Sequence, residues 1–388
     1  KLLLADIYLR ERDFSKASEE SEAVLALLKE QEISAEDKEV GEPPGIKEWY
    51  QATLISGNVA MAKEESEKAE KLFQSLIAKE PNNPTAYYRL GILYRQQKKH
   101  DEALKNFEKV LSLNPVSLDA FTHLVLTYAA KKDLKTALKK CDEQIKLMKD
   151  VPPAALAIIH NLKGGIYLAQ DKKAEAEKSF NDVIKANPNF IQAYYALARL
   201  YLSEKNEDKA ISQFKTIIEK KPDQPGPHML LGIIYEMQKK FDLAEEEYRK
   251  AVQIKSDFSA ALNNLAYLLA EQDKSIEEAM NFAETAKKKN PEDPGIMDTL
   301  GWVFYKKGMS ASSEDHKNMY LDKAIEEFKD SLEKLSDNAV IHYHLGLAYN
   351  KRGDNDNALK SLKKALSLDE KFDGADKAKE VLSEIGKQ

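Results

Sequence analysis

Apolar residues in this 388-residue chain recur at spacings of three and four, in helix-length stretches separated by short polar runs. Such spacing lays one apolar stripe along each helix, so the chain is expected to be helical throughout. In the clearest stretch it predicts one helix over Pro84–Gln97 and a second over Asp101–Leu113, joined by the polar turn Lys98, Lys99 and His100. Asn114-Pro115 closes the second helix, because a residue before proline is pushed out of the helical region.

The pattern repeats. One alanine recurs at Ala17, Ala69, Ala103, Ala137, Ala176, Ala210, Ala244, Ala279, Ala324 and Ala358, and five of the nine gaps are 34 residues. Twelve residues earlier stands a small residue: Ala5, Gly57, Gly91, Gly164, Ala198, Gly232 or Gly346. Ala266 and Gly301 take that role before longer linkers, and Val125 is the large exception. Three residues after the small position comes Tyr8, Tyr94, Tyr128, Tyr167, Tyr201, Tyr235, Phe304 or Tyr349. Four residues after the alanine comes Phe73, Phe107, Phe180, Phe214, Tyr248 or Phe328. Glycine inside a helix costs about 1 kcal/mol relative to alanine. Its retention is expected where two backbones approach closely. No single helix pair can bury its stripe alone, so the pairs must stack.

Leu90-Gly91, Tyr94, Ala103, Phe107 and Pro115 resemble the tetratricopeptide (TPR) pattern of Leu-Gly, Tyr, Ala, Phe and Pro at fixed offsets. The resemblance covers essentially the whole chain. It implies an all-α, right-handed solenoid superhelix of about ten helix–turn–helix units. Helix A of each unit would line a concave groove that receives extended peptides or partner helices.

The departures from the period suggest boundaries. Residues 1–30 form a partial first unit, and residues 31–49 read as an inserted loop rich in Glu, Gly and Pro. The array runs over 50–372. Val151-Pro152-Pro153 lengthens one linker, and 309–319 places eleven mostly polar residues between helices A and B of the ninth unit. That insertion is expected to be a binding loop or a plain extension. Residues 373–388 are expected to form a capping helix. Lys1 opens inside a helical pattern without an initiator Met, so upstream repeats are expected in a longer protein.

Composition narrows the function. A net charge of −6, spread over both signs, argues against a general nucleic-acid binder, which needs a basic surplus. No apolar run approaches the roughly 18–20 residues needed to span a membrane. The lone Cys141 stands where helix B elsewhere carries an aromatic, so a buried small side chain is expected there rather than a reactive thiol. The seven histidines fall in different units and turns and are expected at the surface or in the groove. His342 and His344 are two apart on a helix and make a poor metal pair. Glu245-Glu246-Glu247 reads as a solvated face. Gly164-Gly165 lies mid-helix and is no phosphate loop. With no catalytic constellation, no enzyme activity, metal or cofactor is expected.

Positions two, five, nine and twelve of helix A share one face. They give Tyr88 and Arg95, Tyr195 and Arg199, and Met229 and Glu236. Next come Asn263 and Tyr267, then Asp298, Trp302 and Tyr305, and last Tyr343 and Asn350. Aromatic and Arg side chains anchor interfaces, Asn bonds a bound backbone, and Asp takes an amide or a cation. Tyr88 and Tyr195 fit groove and packing equally well. Trp302 and Asn263 are not needed by the repeat and point to the groove. The chaperone-binding carboxylate clamp requires lysines where this chain has Tyr88 and Ile92, Thr122 and Leu126, Tyr195 and Arg199, so that partner class is excluded.

Leu262-Asn263-Asn264-Leu265-Ala266-Tyr267 and Asp298-Thr299-Leu300-Gly301-Trp302 resemble TPR proteins of the bacterial cell envelope, including lipoproteins linked to exopolysaccharide export and surface-protein sorting. A periplasmic or membrane-associated setting is implied. The expected function is a scaffold that grips a peptide or partner protein, with Trp302 and Tyr267 contacting it rather than holding the fold. A self-assembling scaffold and the regulatory arm of a larger enzyme are the alternatives.

Overall fold

The computed structural model describes residues 1–35 and 46–387. Among these residues there are twenty-one helices, forming ten pairs and a last single helix. They divide into two compact units, Lys1–Ala193 and Tyr194–Gln388.

The first unit opens with α1 (Leu2–Arg10) and α2 (Phe14–Ala35), then α3 (Ile46–Ala62) and α4 (Ser66–Lys79). It continues with α5 (Pro84–Gln96) and α6 (His100–Leu113), α7 (Leu118–Ala130) and α8 (Leu134–Leu147), and α9 (Pro153–Ala169) and α10 (Lys173–Ala186). Helix α11 (Ile191–Ser203) crosses into the second unit, where α12 (Glu207–Lys220) follows it. Next come α13 (Pro225–Met237) and α14 (Phe241–Ile254), then α15 (Ser259–Glu271) and α16 (Ile276–Lys289). The remaining pairs are α17 (Pro294–Met309) with α18 (Glu314–Lys334), and α19 (Ala339–Arg352) with α20 (Asn355–Leu368). The last helix, α21 (Ala375–Ile385), packs on α19 and α20.

One contact recurs inside the pairs. A Cβ placed on Gly91 would lie 2.5 Å from Cε1 of Phe107, closer than any real Cβ tolerates. The same holds for Gly57 on Phe73 and Gly164 on Phe180, both at 2.5 Å, for Gly232 on Tyr248 at 2.4 Å, and for Gly301 on Phe328 at 2.7 Å. Leu362 replaces the ring under Gly346. The sequence suggested that glycine lets two backbones meet. Instead it seats a ring of helix B against the bare backbone of helix A. Gly165 has nothing within 4 Å, so only Gly164 of that pair is a seat. Where Val125 fills the seat, Cys141 replaces the ring sixteen residues on, and both are buried in one core cluster. The ten periodic alanines are all fully buried, because helix B has no room there for more than a methyl group.

The turns follow the same register. Lys98 is left-handed with φ 60°, and the Lys99 N–H donates to the Tyr94 carbonyl at 2.8 Å, the six-to-one bond of a Schellman ending. Glu64, Lys132, Asp171, Lys205 and Lys239 repeat that left-handed residue, and Gly353 takes it in the last pair.

Within each unit the A helices touch their A neighbours: α3 with α5 and α5 with α7, then α13 with α15, α15 with α17 and α17 with α19. Among the described residues the B helices make no comparable contact. Long side chains bridge them instead, as where Arg249 on α14 grips Glu278 on α16 through two bonds of 2.7 Å. The A layer is thus the inner side of each unit.

Three boundaries differ from expectation. Helix α2 continues to Ala35 and α3 starts at Ile46, so both ends of the loop expected at 31–49 are helical, and its remainder lies outside the described residues. The insertion at 309–319 is mostly helix: α17 runs on to Met309 and α18 starts at Glu314, capped by the Ser313 hydroxyl. Added turns satisfy their own backbone hydrogen bonds, which an eleven-residue loop would not. The last helix begins at Ala375 rather than at 373. The link before it is fixed by Gly374 (φ +105°), where a Cβ would stand 2.5 Å from the Tyr343 ring. No helix among the described residues is long and apolar enough to cross a membrane.

The ring-on-glycine contact makes a stability prediction. Gly91→Ala and Ala103→Leu should each cost about 1–3 kcal/mol by overpacking. The solvent-facing Lys105→Leu should stay within about 0.5 kcal/mol of wild type. Urea denaturation measures all three, and equal midpoints would contradict the contact.

Candidate functional site

The residues expected to line the groove fall on the A layer of each unit, but they differ in what they do there. In the first unit the Tyr88 ring packs 6.2 Å from Phe107 and 5.6 Å from His123. His123 in turn stacks on Phe107 at 5.5 Å and 14°. Tyr88 therefore serves the contact between α5 and α7. Burial, and then the charge of Arg95, hold His123 below its ordinary pKa, and its buried Nδ1 has no hydrogen-bond partner. Arg95 is half-buried beside it. His123 was missed as part of this face because nothing in the repeat marks it.

In the second unit Tyr195 meets Phe214 edge-on at 6.1 Å, while Arg199 is exposed. Met229, Asn263, Tyr267 and Asn350 are half-buried. Trp302, Tyr305 and Tyr343 are only 7%, 8% and 9% exposed. The Trp302 ring is sandwiched between Tyr305 at 4.9 Å and His344 at 4.3 Å. Its indole N–H donates to Glu271 Oε1 at 2.6 Å. Tyr343 packs on Phe372 at 5.3 Å. Burial raises both the Tyr305 and the Tyr343 hydroxyls to about 12. These three aromatics hold neighbouring repeats together. Removing a buried ring of this kind typically costs about 3–5 kcal/mol, so Trp302 does not fit the expectation of a residue that spares the fold.

Two histidines also depart from expectation. His344 is 3% exposed, and its Nδ1 lies 2.9 Å from Asp298 Oδ1. His228 is 7% exposed, with Nδ1 2.6 Å from Glu247 Oε2. Glu247 is consequently not on a solvated face, and neither is Glu245, which binds Arg249 and Lys274. Only Glu246 of that triplet is exposed. Cys141 is buried as expected, and burial pushes its thiol up to about 12.

What remains open on the inner side of the second unit is a cavity of about 600 Å³. Glu236, Tyr248, Asn264, Tyr267, Glu271 and Asp373 line it. The Tyr248 hydroxyl donates to Glu236 Oε2 at 2.7 Å. Burial holds the Glu236 carboxyl above its ordinary value; the bond from Tyr248 opposes this, and nearby Glu271 adds to it. Burial also raises the Tyr267 hydroxyl, helped by Glu271, Asp298, Asp373 and Glu236. Asn263 sits one turn before Tyr267 on the same face of α15, and its buried Oδ1 has no hydrogen-bond partner.

Tetratricopeptide-repeat family profiles match residues 84–115 and 339–372, residues 167–234, and residues 227–258. The chain is a tetratricopeptide-repeat protein. It is 38% identical over 74 residues to the TPR repeat-containing protein PA4667 of Pseudomonas aeruginosa. That match spans 19% of this chain and 12% of the length of PA4667. Among solved structures this TPR chain is similar to the APC/C hetero-tetramer Cut9-Hcn1, at 15% identity and a TM-score of 0.50, over 99% of this chain and 89% of that one. It is also similar to Pseudomonas aeruginosa pilF, at 16% identity and a TM-score of 0.47, over 59% of this chain and 97% of that one. The Cut9-Hcn1 likeness is one of fold. Among the described residues the TPR array is all-helical. Among its described residues no three His, Cys, Asp or Glu side chains converge to hold a metal ion.

The buried carboxyl at Glu236 has a pH signature. Its folded pKa lies above the unfolded value, so ionising it opposes folding; that cost is absent below the unfolded pKa and complete above the folded one. Glu236→Gln keeps an acceptor for Tyr248 and removes the charge. Its melting temperature should match wild type in acid and exceed it at neutral pH. A lower melting temperature at neutral pH would contradict the assignment.

Proposed function

We propose that the protein is a scaffold whose A-helix face, in the second unit, holds a peptide or an extended segment of a partner protein over the region from Asn263 to Tyr305. The observation that carries this reading is the Asn263 side chain. Its Oδ1 is buried without a hydrogen-bond partner. A buried acceptor left unpaired costs about 1–3 kcal/mol, and a backbone N–H of a bound segment would satisfy it. Tyr267, one turn further on, offers a half-buried ring beside it. Arg199 and Asn350 extend the same face as exposed and half-buried polar contacts.

The setting belongs to the same proposal. The resemblance of 262–267 and 298–302 to envelope TPR proteins supports a role in bacterial envelope export or assembly. Trp302 supports the site from beneath, through Glu271, rather than by touching the partner.

Site-specific photo-crosslinking in the source cells tests the face directly. A photoreactive phenylalanine at Tyr267 should give discrete partner adducts, whereas the same group at the outer position Lys215 should not. Equal adducts from both positions would remove the A-layer assignment.

A further inference from the structure

Around Tyr267 the inner face of the second unit gathers charge of one sign. Glu236 on α13, Glu271 at the end of α15 and Asp373 in the link before α21 line the same cavity as the Tyr267 ring. Asp298 on α17 adds a fourth carboxylate to the charges acting on Tyr267. The hydrogen bonds these acids accept come from a phenol and an indole: Tyr248 to Glu236 at 2.7 Å, and Trp302 to Glu271 at 2.6 Å. Asp298 is held by His344. Among the described residues no lysine or arginine pairs with any of the four, and the cation on the cavity wall is the exposed Lys239. The B helices are the reverse. There Arg249 on α14 pairs with Glu278 on α16 at 2.7 Å, and Lys287 on α16 with Glu327 on α18 at 3.0 Å.

The spacing of the acids selects the cation. They do not converge as a metal site does, since no three potential ligands gather among the described residues. They stand around an aromatic ring. A flat guanidinium or an ammonium on a long stem fits that arrangement, with its face on the ring and its N–H groups toward the carboxylates. The unpaired Asn263 acceptor lies one helical turn away and calls for a peptide backbone rather than a free cation.

We infer that the cavity between α13, α15 and the link before α21 receives an arginine or lysine side chain of a partner protein, seated on Tyr267 between Glu236, Glu271 and Asp373. This rests on the A-layer reading above and gives the partner segment its charge. The cation relieves the crowding of Glu236 and Glu271. The face is therefore selective for a basic segment and repels an acidic one.

Fluorescence anisotropy with the purified chain decides it. The probes are two fluorescein-labelled, acetylated and amidated Gly-Ser peptides, one with two central arginines and one with citrulline in their place. At low salt the arginine peptide should bind about tenfold tighter than the uncharged citrulline peptide. The double variant Glu236→Gln/Glu271→Gln should lose that preference while melting no lower than wild type, because both glutamines still accept from Tyr248 and Trp302. Equal binding of the two peptides, or a preference that survives in the double variant, would overturn the inference. Displacement of the arginine peptide by spermidine as readily as by unlabelled peptide would overturn the assignment to a protein segment. Crosslinks at Tyr267 without an arginine preference would sink the charge assignment alone, whereas their absence would sink the A-layer reading beneath it.

Discussion

In five of the ten helix pairs a ring of helix B lies against helix A where helix A has no side chain. The contact fixes the distance between the two helices of a pair, and with it where every other side chain on helix A can point. Gly57, Gly91, Gly164, Gly232 and Gly301 all sit within van der Waals radii of a Phe or Tyr ring. Glycine in mid-helix is unfavourable by about 1 kcal/mol, and burying an aromatic ring offsets this several-fold. The buried alanine four residues before the ring then lets the helices stay close along their length.

The same geometry divides the surface by role. One face of helix A is consumed by its own helix B and another by neighbouring A helices. A narrow inner strip remains, and much of it in the second unit is also used for packing: Trp302 stacks between Tyr305 and His344, and Tyr343 packs tilted against His344. Polar groups on that strip are caught up in the packing, as Glu271 is with the Trp302 indole. The outer strip is free for exposed ion pairs, each worth little on its own. The concentration of carboxylates inside and of lysine–carboxylate pairs outside is thus a property of the repeat layers and not of overall composition, which is close to balanced.

The helix pattern was legible because packing imposes it at every unit. The expected helix over Pro84–Gln97 ends one residue earlier, and the one over Asp101–Leu113 starts one residue earlier. The exchange of Val125 and Cys141 for Gly and Phe was visible only as two separate exceptions; their burial in one cluster joins them. Trp302 was misread for a physical reason. A residue that the repeat does not require looks free for function, yet it fills space between particular neighbours, His344 and Tyr305, that no periodic pattern specifies. His344 and Asp298 are 46 residues apart, and Asp373 reaches the Tyr267 cavity from beyond the last pair. Such pairings depend on how units stack, whereas the sequence displays only what each unit repeats. The polar character of 309–319 left a binding loop and a plain extension both open, and only the Ser313 cap shows that most of it extends helices.

The central claim is that size is traded across one contact between the two helices of a pair, and Val125 with Cys141 offers the most direct test. A double-mutant cycle would compare Val125→Gly, Cys141→Phe and the double variant, which restores the glycine seat and the ring, by urea denaturation. Cys141→Phe alone should be strongly destabilising, because the ring has no seat, and the double variant should recover most of that loss. The coupling should favour the pair by about 0.5–3 kcal/mol, the range seen for residues that share a packing site. Additive losses, with the double variant the least stable of the three, would contradict the account.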